Sequence, residues 1–156
     1  MEKQLTDAAA GEGLEFHFDI ARNGATFDAH RLVHLAHDLE LQDAMKERLL
    51  RAYFSEGELV GDHETLVRLG VEVGLAEGEV RQTLSSDRFS EQVRDEERTA
   101  RQLGITAVPK FVIDRALGAS GAHPPEALSE LLRQGWANRS PVSVLAAGET
   151  CGVEGC

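Results

Sequence analysis

Read for the recurrence of apolar positions, the chain is a run of helices that ends in two short strands and one further helix. Residues 1–10 read as a helix, broken by Gly11-Glu12-Gly13. Leu14-Glu15-Phe16-His17-Phe18 alternates apolar and polar, the period-two pattern of a short strand or extended edge. Asn23-Gly24 marks a turn. Thr26 is then placed to cap a helix running to about Leu39, with Asp28 in the first turn where the helix dipole favours a carboxylate. The next helix, from about Asp43 to Glu56, brings Met45, Leu49, Ala52 and Tyr53 onto one face, and Gly57 ends it. Asp62 is a capping residue for a third, which carries Leu66, Leu69 and Val73 and closes at Gly74. A short fourth covers about Ala76 to Leu84. Ser86 opens a fifth, whose stripe of Phe89, Val93, Ala100 and Leu103 runs through dense charge.

The pattern changes at Gly104-Ile105-Thr106-Ala107-Val108-Pro109-Lys110-Phe111-Val112-Ile113-Asp114. Gly104 is suited to stop the helix in a left-handed conformation. Pro109 has no N–H for a ladder and so belongs at the very start of a strand. A trans proline at a helix-to-strand turn fits this pattern, and so does a cis Val108–Pro109 bond, because X-Pro is where a cis peptide is cheap. Lys110 to Asp114 is expected to pair with Ala119 to Ala122 through a turn around Arg115, Leu117 and Gly118. His123-Pro124-Pro125 starts the last helix, whose predicted buried face is Leu128, Leu131, Leu132 and Trp136. The expected organisation is a helical region over 1–103 with an extended segment at 14–18, a strand–hairpin–helix region over 104–138, and a flexible tail over 139–156 rich in Ser, Pro, Ala and Gly. Two firm strands and one doubtful one make a poor sheet, since an isolated hairpin is marginal in water. Either the helices carry the stability or another segment or chain supplies strands.

Bulk numbers narrow the class. At 156 residues and 42% apolar content the chain has enough for one real core. A net charge of −11 argues against nucleic acid and against an anionic membrane surface as partners. No apolar stretch approaches the ~18 residues of a membrane span, and no apolar region follows the first five residues, so a cytoplasmic location without a signal peptide is expected. Both cysteines, Cys151 and Cys156, fall in the last six residues, so no disulfide framework is expected.

Three groups of residues invite chemistry. His30, His34 and His37 share a helix face, yet the outer two lie about 10 Å apart along the axis at ~1.5 Å per residue. One ion cannot reach both, and no metal is expected. Packing beside Phe27 is expected for His30, and solvent exposure for His37. Cys151-Gly152-Val153-Glu154-Gly155-Cys156 is the only dithiol, flexible enough to close but lacking the helix N-terminus that lowers a catalytic thiol's pKa. It is either an accessory redox pair or a passive exposed one. The carboxylates of 91–101 alternate with Arg94, Arg98 and Arg101 at helical spacing, the signature of a solvated, ion-paired face. There is no phosphate-binding glycine loop and no Gly-x-Ser-x-Gly.

Several segments taken together resemble the DsbA-like thioredoxin-fold family, and within it the FrnE-like dithiol–disulfide oxidoreductases. They are Asn23 to Arg31, Lys46 to Phe54, Gly104 to Asp114, and Ser120-Gly121-Ala122-His123-Pro124-Pro125-Glu126. The resemblance covers most of residues 12–137. It implies an α/β thioredoxin-like fold with a large helical insertion, here mostly helical with a C-terminal β-hairpin and helix. It also implies a cis-proline loop at Val108 and Pro109 that holds substrate, and a wall of Asn23, Phe27 and His30 facing the same groove. The implied activity is thiol–disulfide exchange on a thiol- or disulfide-containing protein or small molecule, with no cofactor. The family's Cys-x-x-Cys is not present in this sequence, so the expectation is a truncated form, inactive alone, that self-associates to complete its sheet. Lys110 is a second departure, standing where an apolar or aromatic residue is usual. Two other classes remain open: a glutathione-dependent isomerase or transferase of the 2-hydroxychromene-2-carboxylate isomerase or kappa type, and a redox-silent peptide-binding module.

Overall fold

The computed structural model describes residues 2–139. Among them the elements run α1 (Glu2–Gly11), α2 (Phe27–Asp38), α3 (Gln42–Phe54), α4 (His63–Val73), α5 (Glu77–Ser85), α6 (Ser90–Gln102), β1 (Lys110–Ile113), β2 (Leu117–Ser120) and α7 (Pro125–Asn138). The chain divides into two compact units, residues 1–99 and residues from 100 onward.

In the first unit, α2 to α5 pack around one core. Leu32, Leu35, Met45, Leu66, Leu69 and Val80 are its largest fully buried apolar side chains. The caps that hold these helices follow local chemistry. The Asp62 carboxylate accepts from Thr65 N–H at 2.9 Å, which satisfies an orphan donor of α4 and holds this carboxyl below its usual range. Gly74, at φ +107°, closes α4 with its own N–H on Val71 and the Leu75 N–H on Gly70, the paired bonds of a left-handed helix stop.

Three local expectations change. Thr26 precedes α2 but makes no side-chain capping bond, because at φ −103°, ψ 1° it lies outside the extended geometry that aims a cap side chain at the first turn. The fifth interior helix opens at Ser90, not Ser86, since Phe89 takes φ +65° and the Ser90 N–H turns back onto Asp87. Residues 14–18 join no ladder. Phe16 and Phe18 instead pack on Phe54, Phe16 stacked on it at 4.5 Å between centroids, while His17 N–H donates to the Phe54 carbonyl at 2.7 Å. The segment that follows is pressed against the loop after α3. A Cβ on Gly57 would stand 2.7 Å from the Ile20 carbonyl oxygen, and one on Gly61 2.7 Å from that of Ala25.

In the second unit, β1 and β2 pair antiparallel in the register Lys110–Ser120, Phe111–Ala119, Val112–Gly118 and Ile113–Leu117. The turn lies at 114–116, one step earlier than expected: Asp114 and Arg115 both take positive φ, and Ala116 N–H closes onto Ile113. Gly118 is therefore a strand residue, and the Lys110 stem lies over the space it leaves, with Nζ donating to Ser120 Oγ at 2.9 Å. Leu128, Leu131 and Leu132 line a cleft with β1, but Leu132, expected to be buried, is 61% exposed at its edge and Trp136 does not join them. The helix seats through Gly135, whose added Cβ would meet Ile113 Cγ2 at 2.5 Å. Trp136, about one 100° helical step further round, is left 70% exposed beneath the Arg139 guanidinium. Among the described residues, no apolar side chain after Val93 is buried, so the second unit has no fully dry core of its own.

Candidate functional site

The proline loop is built by a helix stop and a strand start. Gly104, at φ +67°, donates to Arg101, and Ile105 N–H reaches back to Ala100, which ends α6 cleanly. The chain then crosses in five residues to β1. Val108–Pro109 is cis. Pro109 forms the first rung of the hairpin by accepting from Gly121 N–H at 2.8 Å, and Val108 is 86% exposed. Antiparallel pairs alternate between bonded and non-bonded. With the 109–121 rung bonded, the backbone polar groups of Lys110 and Val112 are directed away from β2, an edge unpaired among the described residues and continuous with the exposed Val108.

Asn23, Phe27 and His30 belong to the first unit, and Val108 and Pro109 to the second. Asn23 Oδ1 accepts from Tyr53 Oη at 2.9 Å, which fixes the turn before α2 against α3. Phe27 is half-buried with the Arg94 guanidinium 5.5 Å from its ring centroid. His30 is exposed and does not pack beside Phe27. It borders a groove between α2 and α3, because the i, i+3 spacing carries it and Val33 to that side. His34 takes the packed role instead, stacked on Phe89 at 6.0 Å with Glu96 3.3 Å from Nε2, while His37 is exposed. Among the described residues, no three His, Cys, Asp or Glu side chains converge as a metal site. Cys151 and Cys156 lie outside the described residues.

The α2–α3 groove encloses about 320 Å³. Its floor is Ala29 and Val60, both buried, and its walls are Leu49, Leu50, Tyr53 and Phe54, with Lys46 at the rim. A second hollow of about 500 Å³ lies against the Leu14–Phe16 segment, edged by Glu15, Glu47 and Arg51.

Arg31 is the residue whose role sequence reasoning missed. It is 4% exposed, and its guanidinium donates to the carbonyls of Thr83, Ser86 and Arg88 and to Asp28 Oδ1, the last two at 2.8 Å. Asp28 Oδ2 also meets His63 Nε2 at 2.8 Å. Burial alone would raise the Asp28 carboxyl, but bonds from Arg31 and His63 outweigh it and hold the group below its ordinary value. The one local signal was the Asp28–Arg31 spacing of three on a helix.

No helix among the described residues is long and apolar enough to cross a membrane. The chain matches the family model of the DSBA-like thioredoxin domain over residues 1–133. Among solved structures it is similar to a probable DsbA oxidoreductase from Streptomyces coelicolor, at 41% identity and a TM-score of 0.85. That alignment covers 99% of this chain and 67% of the other. No curated protein matches. A family match over most of the chain, together with a solved relative of this identity on the same helices and hairpin, carries one conclusion: the chain belongs to the DSBA-like thioredoxin domain family.

Proposed function

We propose that this chain is the substrate-holding part of a protein thiol–disulfide oxidoreductase of the FrnE-like kind and that it turns over no disulfide by itself. The supporting observation is the exposed Val108 at the head of an open strand edge, in a chain of this family. An extended substrate segment can add to such an edge by main-chain hydrogen bonds, with side-chain pockets supplying selectivity. Asn23, Phe27 and His30, which belong to the first unit, are assigned a substrate-facing wall at the start of α2. The exchange chemistry needs a thiolate held against the substrate disulfide. Cys151 and Cys156 are this chain's only thiols, and they are assigned at most an accessory redox role because Glu149 and Glu154 beside them favour the protonated form. The same open edge is assigned to self-association that completes the sheet, an outcome sedimentation would show as a concentration-dependent dimer.

The test is insulin reduction by dithiothreitol. It compares this chain, its Cys151→Ser/Cys156→Ser variant, and a form extended at the N-terminus with a Cys-x-x-Cys segment from a relative. The first two are expected to match background and the third to turn over. Robust turnover by the chain as given, lost in the double serine variant, would make the C-terminal dithiol the active site and overturn this reading.

A further inference from the structure

The α2–α3 groove has the features of a small-molecule site that the disulfide chemistry does not use. Its volume of about 320 Å³ sits at the small end of ligand pockets, which run roughly 300–1,000 Å³ with mostly apolar linings. The short side chain of Ala29 leaves the space, and Leu49, Tyr53 and Phe54 wall it with aliphatic and aromatic surface. Besides the Thr26 and Tyr53 hydroxyls, the polar side chains of the lining are His30 on α2 and Lys46 on α3, both exposed. The chain carries 27 acidic residues against 16 Lys and Arg, and Arg48 on the same helix as Lys46, like Arg68 and Arg81 elsewhere in the unit, is engaged by a carboxylate. Among the described residues, the Lys46 ammonium has no ion pair and no hydrogen bond. An unpaired cation and an imidazole on the lining of a groove with a buried apolar floor complement a ligand with a flat or branched hydrocarbon body and one anionic end.

We propose that the groove between α2 and α3 binds an apolar carboxylate, with the hydrocarbon between Ala29, Leu49 and Tyr53 and the carboxylate on Lys46 and His30. The groove shares His30 with the wall assigned above, but binding here needs no thiol, so failure of the insulin experiment leaves this proposal standing.

The experiment titrates the 156-residue chain with 2-naphthoate and, separately, with the neutral 2-naphthamide. Calorimetry gives the affinity, and amide chemical shifts show which residues respond. The acid is expected to saturate with a sub-millimolar dissociation constant, moving resonances of 26–33 and 46–54, and the amide to bind about two- to fivefold more weakly, the order of effect for one rim charge. Lys46→Gln, a surface change that leaves the core intact, is expected to reduce the acid to the affinity of the amide and leave the amide unchanged. Ala29→Leu, with folding checked by circular dichroism, is expected to abolish both. Equal affinity for acid and amide, indifference of the acid to Lys46→Gln, or no saturable binding would each overturn the proposal. If naphthoate fails to bind and sedimentation shows a dimer that Leu50→Asp dissociates, the occupant is a second copy of the chain and the proposal also falls.

Discussion

Replacing Arg31 with Met tests what holds the helical unit together. The side chain is 4% exposed, and its guanidinium supplies three backbone carbonyls that follow or end α5, together with Asp28 on its own helix. Hydrogen bonds to a charged group contribute about 1.5–3 kcal/mol each, so four would sum to roughly 6–12 kcal/mol. That sum overshoots, because burying the guanidinium costs several kcal/mol that the Met variant no longer incurs. What remains is the penalty of carbonyls that lose this donor and a carboxylate left with His63 alone, and breaking a buried pair from one side costs about 3–5 kcal/mol. For a domain of this size each 1 kcal/mol moves Tm by ~2–4 °C, so the expected fall is about 6–20 °C. Arg31→Lys separates charge from shape. An ammonium cannot present a planar fork to several carbonyls and is more strongly hydrated, so Lys is expected to cost at least as much as Met. The assay is thermal and urea unfolding followed by far-UV circular dichroism. A Met variant within about 1 °C of the parent, or a Lys variant that restores full stability, would refute the argument that the fork ties the α5–α6 loop to α2.

The Asp28 pair gives a pH dependence with a defined sign. Its folded pKa lies below the ordinary aspartate value of 3.8, so the stability it contributes is complete above that value and is lost as pH falls through the folded one. The difference in unfolding free energy between the parent and Asp28→Asn is therefore expected to be constant from pH 7 to 5 and to shrink below about pH 4. A difference that stays flat down to pH 2 would contradict it. Thr83 Oγ1 is buried without a hydrogen-bond partner among the described residues, so Thr83→Val is expected to be neutral or to stabilise by up to about 1 kcal/mol in urea melts, and a clear loss would show a hidden partner. Gly135→Ala drives a methyl into Ile113 and is expected to destabilise the second unit by about 1 kcal/mol net, as overpacking exceeds the gain in helix propensity. Trp136→Ala should stay within about 0.5 kcal/mol of the parent, as befits a surface site, and reversal of that order in thermal melts would relocate the docking face of α7.

Much of this fold was legible because it is written in local chemistry. Asp62, Gly74 and Gly104 each act through backbone groups within five residues, and the spacing of Met45, Leu49, Ala52 and Tyr53 needs only a helical period. The features that were not legible depend on partners distant in sequence. The alternation at 14–18 is real, since Phe16 and Phe18 both pack on Phe54, but alternation cannot supply a neighbouring strand. The stripe containing Trp136 is helical, yet close approach at Gly135 decides which side of α7 meets the sheet. Arg31 reads as a surface charge until the turn after α5 brings carbonyls 52 to 57 residues away onto it. The groove joins positions on two helices that are individually unremarkable, and only their packing shows that Lys46 stands over an apolar floor.

The two glycines after α3 bear on how variation in relatives should be read. Gly57 and Gly61 sit in a loop, touch no proposed ligand and carry no chemistry, yet each leaves a backbone oxygen of 20–25 no room for even one added methyl. A saturation library is therefore expected to be nearly empty at both positions, whatever the size or polarity of the substitute. Constancy at these two columns would record main chain lying on main chain, and a search that ranks positions by invariance alone would mistake it for a catalytic signature.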